Sequence, residues 1–157
     1  ADQVLVMYEG QIVQIGTPQD LFENPSHRFV GYFIGSPGMN FLPCRLDGNF
    51  ARVNGAAIRL SEDMTALARK ATGELEIGIR PMYLQLHTEP VDDGVAAKIK
   101  GVEDQGSFKI VTVMLAGHTV RVRIPEGSPV PAEEAWLHFP PQWTRLYADG
   151  RLVRKQD

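Results

Sequence analysis

Apolar residues open the chain in two short bursts. Val4-Leu5-Val6-Met7-Tyr8 is a nearly continuous apolar run, the pattern of a strand buried on both faces. Glu9-Gly10 turns it, Gln11 to Ile15 alternates loosely as the return strand of a hairpin, and Gly16 ends it. Thr17 is then a good N-cap with Pro18 at the first helical position and Asp20 in the first turn, where a negative charge suits the helix dipole. That helix is expected to stop by Asn24, because Pro25 disfavours α geometry in the residue before it. A second short helix is predicted behind Ser26 as cap, with Phe29, Val30 and Phe33 at three-and-four spacing, and Gly35 and Pro37 forbid its continuation. The stretch from Phe33 to Leu42 therefore reads as a hinge between two kinds of structure.

Beyond it the period changes to that of strands. Segments near 41–46, 50–53 and 57–60 are joined at Asp47-Gly48 and Asn54-Gly55, both strong hairpin signals. Ser61 caps a predicted helix through about Thr72, with Met64, Leu67, Ala68 and Ala71 on one face and Gly73 as the C′ residue, placed to cover a barrel end. Strands follow over 74–79 and 83–87, interrupted by Arg80-Pro81, and then over 95–102, 108–115 and 119–124, with Gly106 and Gly117 between them. After a loop over 125–131, short strands are expected at 135–139 and 144–147, and Asp149-Gly150 turns into a last one at Leu152-Val153. Many short strands at this spacing favour a barrel over βαβ units, built as two β-rich halves on either side of Pro90 with no clean internal repeat.

Composition narrows the class. At 157 residues and 43% hydrophobic content the chain fits one ordinary domain plus a fragment with a real core. Net charge is −3, with basic residues spread along the chain, so no electrostatic footprint for nucleic acid or an anionic membrane is visible. The single cysteine, Cys44, forms no internal disulfide and is expected as a half-buried strand residue. No apolar run approaches bilayer length, and the N-terminus has neither a basic n-region nor an apolar h-region. Ala1-Asp2-Gln3 leads straight into a strand with no initiator methionine, which suggests a chain cut inside a larger domain.

The order of these segments carries a resemblance. Residues 1–25, with Val-Leu-Val-Met-Tyr-Glu-Gly-Gln-Ile-Val-Gln-Ile-Gly-Thr-Pro-Gln-Asp-Leu-Phe at their centre, resemble the end of an ABC transporter ATPase domain just past its switch histidine. Phe33-Ile-Gly-Ser-Pro-Gly-Met-Asn-Phe-Leu42 is similar to the junction in the subfamily that energises import of sugars, polyols and glycerol phosphate. Gly78-Ile-Arg-Pro81 and Val102-Glu-Asp-Gln-Gly-Ser107 resemble later landmarks of that subfamily's C-terminal region. The resemblance implies a mainly β chain: an OB-like β-barrel (transport-associated OB) over 35–157, preceded over 1–34 by a β-hairpin and short helices left over from the nucleotide-binding domain. It further implies a regulatory and dimer-stabilising part of an importer ATPase, peripheral on the cytoplasmic face of the membrane. Its partners would be a second copy, the permease subunits and a possible regulatory protein, with no nucleic acid. Gly35, Ser36, Pro37, Met39, Asn40, Phe41, Arg80 and Pro81 are then the candidate interdomain or regulatory contacts. The family usually has an acidic residue after this proline, whereas Met82 stands here.

Candidate chemistry is sparse. No Gly-x-x-x-x-Gly-Lys-[Ser/Thr] occurs, and the family's signature motif, acidic magnesium-site motif and switch histidine are absent too, so this stretch is expected not to hydrolyse ATP and to hold no cofactor or metal, MgATP being implied only for the parent protein. His27, His87, His118 and His138 lack the close spacing of a metal site. Glu103-Asp104 and Asp92-Asp93 flank glycine turns and are solvated turn carboxylates rather than acid/base pairs; Ser107 and Ser128 lack a nucleophile context. Phe108, Trp136, Phe139, Trp143 and Tyr147 suit barrel core and ends better than a base-stacking platform, which needs a basic groove beside it. An alternative is a barrel that senses a small oxyanion or sugar, given converging donors such as Arg80, Arg121 or Ser107. The hairpin over 4–15, deprived of its sheet, is expected to pair with another chain or to fold onto the barrel.

Overall fold

The structure, a computed structural model, describes residues 2–155. A hairpin opens it, β1 (Val4–Tyr8) against β2 (Gln11–Gly16), followed by helices α1 (Pro18–Glu23) and α2 (Arg28–Phe33). Then come β3 (Asn40–Asp47), β4 (Phe50–Val53), β5 (Ala56–Arg59), helix α3 (Glu62–Lys70), β6 (Leu75–Ile79) and β7 (Gln85–His87). The last part is all strand: β8 (Gly94–Asp104), β9 (Phe108–Leu115), β10 (His118–Pro125), β11 (Glu134–His138), β12 (Arg145–Ala148) and β13 (Arg151–Leu152). Two 3₁₀ turns, Pro81–Tyr83 and Pro141–Trp143, separate β6 from β7 and β11 from β12.

Apart from the hairpin, the strands make two sheets, ordered β10-β9-β8-β11-β7 and β13-β12-β6-β3-β4-β5. Leu42, Ile58 and Ile77 of one sheet and Val111, Val120 and Leu137 of the other belong to a single buried cluster, so the sheets close over one core. α3 lies on it through Ala68, with Met64 and Leu67 packed alongside, covering the barrel as expected. Strand β8 pairs with β11 over residues 94–98 and with β9 over residues 98–104, and a bulge between Ile99 and Gly101 interrupts the β9 pairing just past the hand-over. The extra residue bends the strand, and a barrel needs such a bend to pass one strand between two neighbours.

Pro90 does not divide the architecture. β7 joins the later sheet and β12 and β13 join the earlier one, because β6 and β11 each cross from sheet to sheet through a 3₁₀ turn. These crossings are also an internal repeat. Ile77-Gly-Ile-Arg-Pro-Met-Tyr83 and Leu137-His-Phe-Pro-Pro-Gln-Trp143 share strand, X-Pro, 3₁₀ turn and aromatic. β6 pairs with β12, β11 pairs with β7, and Tyr83 stacks flat on Trp143 at 4.2 Å and 6°. Few side chains are identical between the two copies, so the repeat becomes visible only in the pairing.

Several local expectations are corrected. His27, not Ser26, is the N-cap of α2; the Ser26 hydroxyl is engaged with Val13 O and the His27 ring, so it is turned away from the helix. Val30 of that helix is buried, whereas Phe33 is 74% exposed. α3 ends at Lys70 with Ala71 as C-cap, so Gly73 is not its C′ residue. Gly73, at φ +106, instead makes room for Asp149: an added Cβ would lie 2.2 Å from its carboxylate, which accepts from Glu74 N at 2.9 Å. The turn after β3 is Gly48-Asn49, one residue later than expected.

The opening hairpin forms, but it is neither buried on both faces nor folded onto the barrel. Leu5, Met7, Tyr8, Ile12 and Ile15 are exposed, Met7 by 59%, and the hairpin is held to the following helical segment by Gln14, which bonds Asn24 O and Ser26 N, and by the Tyr8 ring, 4.7 Å from that of Phe29. An apolar run signals that a strand wants cover; it does not say that this chain provides it.

Candidate functional site

The hinge between α2 and β3 is folded back on itself. Met39 N donates to Gly31 O at 2.9 Å, and at Gly38 an added Cβ would lie 2.1 Å from the Tyr32 carbonyl oxygen. Only a residue without a side chain allows the main chain to pass that close. Gly35, at φ +105, supplies the left-handed step before it, and Ser36-Pro37 is cis.

Arg80 reaches this fold-back from the opposite side. It leaves the end of β6, is 1% exposed, and spends its guanidinium on backbone carbonyls of the opening segment. Nε donates to Phe22 O at 3.0 Å, and Nη1 donates to Gly31 O at 2.8 Å and to Ile34 O. The guanidinium also lies 4.3 Å over the Phe22 ring. Nη2 has no partner, and no carboxylate pairs with Arg80 among the described residues. Burial lowers its pKa to about 10, which leaves it charged at neutral pH. Gly31 O and Ile34 O lie at the C-terminal end of α2, where carbonyls lack intrahelical partners and a cation is favoured. A planar fork presents its donors from separate nitrogens in fixed directions, whereas an ammonium offers its three donors from a single point. The 3₁₀ crossing itself does not call for an arginine, since Pro140 holds the equivalent place in the repeat.

A second fastening surrounds it. Tyr147 on β12 donates through its hydroxyl to Pro25 O at 2.7 Å and lies 3.7 Å from Met39 Sδ, and its burial pushes the phenol up. Gly78 is bare beneath it, because a Cβ there would approach the Tyr147 ring to 2.6 Å. Phe41 meets Tyr147 edge-on at 5.2 Å and carries Arg28 over its other side at 4.9 Å; Arg28 also reaches Glu76 at 3.2 Å. Arg145 Nε donates to Asn24 Oδ1 at 3.1 Å, and β13 is tied in by Leu152 N to Ser26 O and Arg28 N to Gly150 O. Asn40 meets the other sheet: its side chain donates to Arg121 O and accepts from Arg121 N, both at 2.9 Å, standing in for a strand neighbour of the edge strand β10.

Of the residues singled out from sequence, Gly35, Met39, Asn40, Phe41 and Arg80 take part in these fastenings. Ser36 and Pro37 line hollows beside the hinge, and Pro81 starts the 3₁₀ turn. Arg80, Arg121 and Ser107 do not converge as ligand donors: Arg80 is committed to carbonyls and Ser107 is exposed in the β8–β9 turn. Sequence reasoning missed Phe22, Gly31, Gly78 and Arg145 as members of this joint, and placed Tyr147 only among core aromatics. Trp143 and Phe139 do sit at barrel end and core.

Among the described residues no group of three or more His, Cys, Asp or Glu is placed to hold a metal ion. Cys44 is half-buried on β3, where burial raises its thiol to about 11. His27 is lowered from its ordinary value by burial first, then by Arg151 and Arg154. Its neutral form is therefore favoured on folding: stability from it is present above the unfolded value near 6.5 and is lost as pH falls through that value toward the lowered folded one. Melting temperature is expected to drop between pH 7.5 and 5.5 more steeply than in His27→Asn; parallel pH profiles would contradict the assignment.

Comparison with known proteins matches this architecture. Residues 35–81 match the MalK OB fold domain. The uncharacterized ABC transporter ATP-binding protein y4oS of Sinorhizobium fredii is 36% identical over 143 residues, 87% of this chain and 36% of that protein. The sn-glycerol-3-phosphate import ATP-binding protein UgpC of Bordetella pertussis is 36% identical over 78% of this chain and 33% of its own length. The chain belongs to the ABC transporter ATP-binding family. Within it, the sulfoquinovosyl glycerol transport ATP-binding protein SmoE of Agrobacterium fabrum is 32% identical over 94% of this chain and 42% of itself. The chain thus spans about a third to two fifths of the length of these ABC relatives, and what it holds is their C-terminal OB-bearing part. A solved structure of the cytoplasmic molybdate-binding protein ModG shares the fold at TM-score 0.51 and 13% identity, covering 69% of this chain and 95% of that one. No helix among the described residues is long and apolar enough to cross a membrane.

Proposed function

We propose that the chain is the C-terminal regulatory and dimer-stabilising region of an ABC importer ATPase that energises uptake of a sugar, polyol or glycerol-phosphate type solute. Residues 1–34 are the end of the nucleotide-binding domain and its connecting helix, and 35–157 are the OB-like regulatory domain. MgATP chemistry belongs to the longer protein; this region contributes no phosphate cradle. Its partners are a second copy and the permease subunits, at the cytoplasmic face of the membrane. The observation that carries the reading is the Arg80 clamp: a buried cation of the barrel gripping three carbonyls of the opening segment makes a rigid joint rather than a flexible tether. Movements of the catalytic part would then be passed to the barrel directly.

The test has two arms. The chain alone is expected to show no MgATP hydrolysis. In the full-length subunit assembled with its permeases, Arg80→Met is expected to retain nucleotide binding while lowering the solute-stimulated ATPase by about tenfold, the scale of a lost positioning contact. Hydrolysis by the chain alone, or an unchanged stimulated rate in the variant, would sink the reading.

A further inference from the structure

The chain has four asparagines, and they differ in the residue that follows. Asn24 precedes Pro25, which has no N–H; Asn40 and Asn49 each precede a phenylalanine; Asn54 precedes Gly55. A main-chain N–H can attack the side-chain amide of the residue before it and close a succinimide ring. Glycine, with no Cβ, lets the main chain turn furthest toward that approach.

The fold singles out the same residue. Asn54 and Gly55 are both exposed at the tip of the β4–β5 hairpin, where two residues connect the paired Val53 and Ala56. An added Cβ at Gly55 would meet nothing within 4 Å, so no neighbour crowds the approach, and Gly55 N donates to no backbone acceptor among the described residues. Asn40, by contrast, is half-buried, and its amide is held at both ends by Arg121. Asn54 is held at one end: Nδ2 donates to Ala116 O at 2.6 Å. Ala116 lies in the β9–β10 turn, so this bond ties a turn of one sheet to a turn of the other.

We propose that Asn54-Gly55 is a self-modification site, at which the chain deamidates and thereby unties the two turns. Gly55 N–H gives its proton to solvent and the nitrogen forms a bond to Asn54 Cγ. The Cγ–Nδ2 bond then breaks, and Nδ2 leaves as ammonia with a proton taken from solvent. Water opens the ring. Attack at Cγ restores the main chain and leaves aspartate; attack at the main-chain carbonyl carbon of residue 54 leaves isoaspartate. Nothing is oxidised or reduced, and water is the sole co-reactant. Either product sets a carboxylate where an amide donor stood, and a carboxylate only accepts, as the Ala116 carbonyl does. Isoaspartate also adds a carbon to the main chain inside a two-residue turn, which disturbs the Val53–Ala56 register. One negative charge is gained, taking the net charge from −3 to −4. The inference stands apart from the transport reading, because it concerns the covalent chemistry of the chain itself.

Incubation of the chain in mildly alkaline buffer, which favours the deprotonated nitrogen, tests it on folded protein and, in parallel, on protein unfolded in urea. Ion exchange is expected to show a more acidic species accumulating in the folded sample, and peptide mass mapping to place the amide-to-acid change at Asn54. Asp47-Gly48, Asp93-Gly94 and Asp149-Gly150 yield isoaspartate without any change of mass, so the mass distinguishes them. Gly55→Ala suits the open space and a φ outside the left-handed region, so it should fold as the parent does and slow the change by about tenfold or more. Asn54→Asp should lower the melting temperature by about 2–4 °C, as one lost hydrogen bond does in a chain of this size. Three results would overturn the site: no acidic species in the folded sample by the time the unfolded one has converted, equal change at Asn40 or Asn49, or an unaltered rate in Gly55→Ala. An Asn54→Asp protein that melts with its parent would overturn the untying.

Discussion

Arg80→Ala is expected to be the most damaging side-chain substitution in the chain. It removes the donors to Phe22 O and Ile34 O and one of the two donors to Gly31 O, which keeps Met39 N, and leaves a void between β6 and the Phe22 ring. Hydrogen bonds to a charged donor contribute about 1.5–3 kcal/mol each, and a buried carbonyl left unpaired costs on the order of 1–3 kcal/mol. Against this, the mutation relieves the cost of burying a guanidinium that has no counter-charge. The net loss is set at about 3–5 kcal/mol, a fall in melting temperature of roughly 10 °C for a chain of this size. Arg80→Lys keeps the charge but one nitrogen replaces a fork, so only part of the loss is recovered. Hydrogen exchange separates a broken joint from a broken barrel: α1 and α2 are expected to lose protection while β9 and β10 keep theirs. Uniform loss across the chain, or no loss in Arg80→Ala, would refute the clamp.

The strands were legible in the sequence because their turns are chemically marked. Asn54, Asp93 and Asp149 all adopt positive φ at the dipeptides Asn54-Gly55, Asp93-Gly94 and Asp149-Gly150, which is why those residue types stand there. Which sheet a strand joins was not legible. β7 and β12 exchange sheets through two 3₁₀ turns, and a Pro with a following aromatic reads as a break, not as a crossing. The joint was legible only in part, and for a comparable reason. Hinge glycines announce themselves by type, but the partners of Arg80 are main-chain carbonyls, which every residue has. Tyr147 and Arg145 bond residues more than a hundred positions earlier, and nothing local in either segment signals the other. The opening hairpin shows the opposite failure, where a strong local signal for burial exists without cover from this chain.

Gly38→Ala is expected to open the hinge that Arg80 closes on. The added methyl would sit 2.1 Å from Tyr32 O and 3.1 Å from Tyr32 Cα, both main-chain atoms that cannot swing aside. The clash is relieved only if the segment around Pro37 lifts off α2, which breaks the Met39 N to Gly31 O bond and moves Met39 from beneath Tyr147. One lost backbone hydrogen bond and a disturbed buried methionine together cost on the order of 2–4 kcal/mol. Gly101→Ala is the control, since nothing lies within 4 Å of its added Cβ and its φ is unremarkable, so it is expected to be neutral to within about 0.5 kcal/mol. The decisive readout is coupling. Gly38→Ala and Arg80→Ala act on the same contact, so the double variant should lose clearly less than the sum of the two. Strict additivity would mean that hinge and clamp are separate structures, and a Gly38→Ala protein as stable as its parent would mean that the fold-back does not exist in solution.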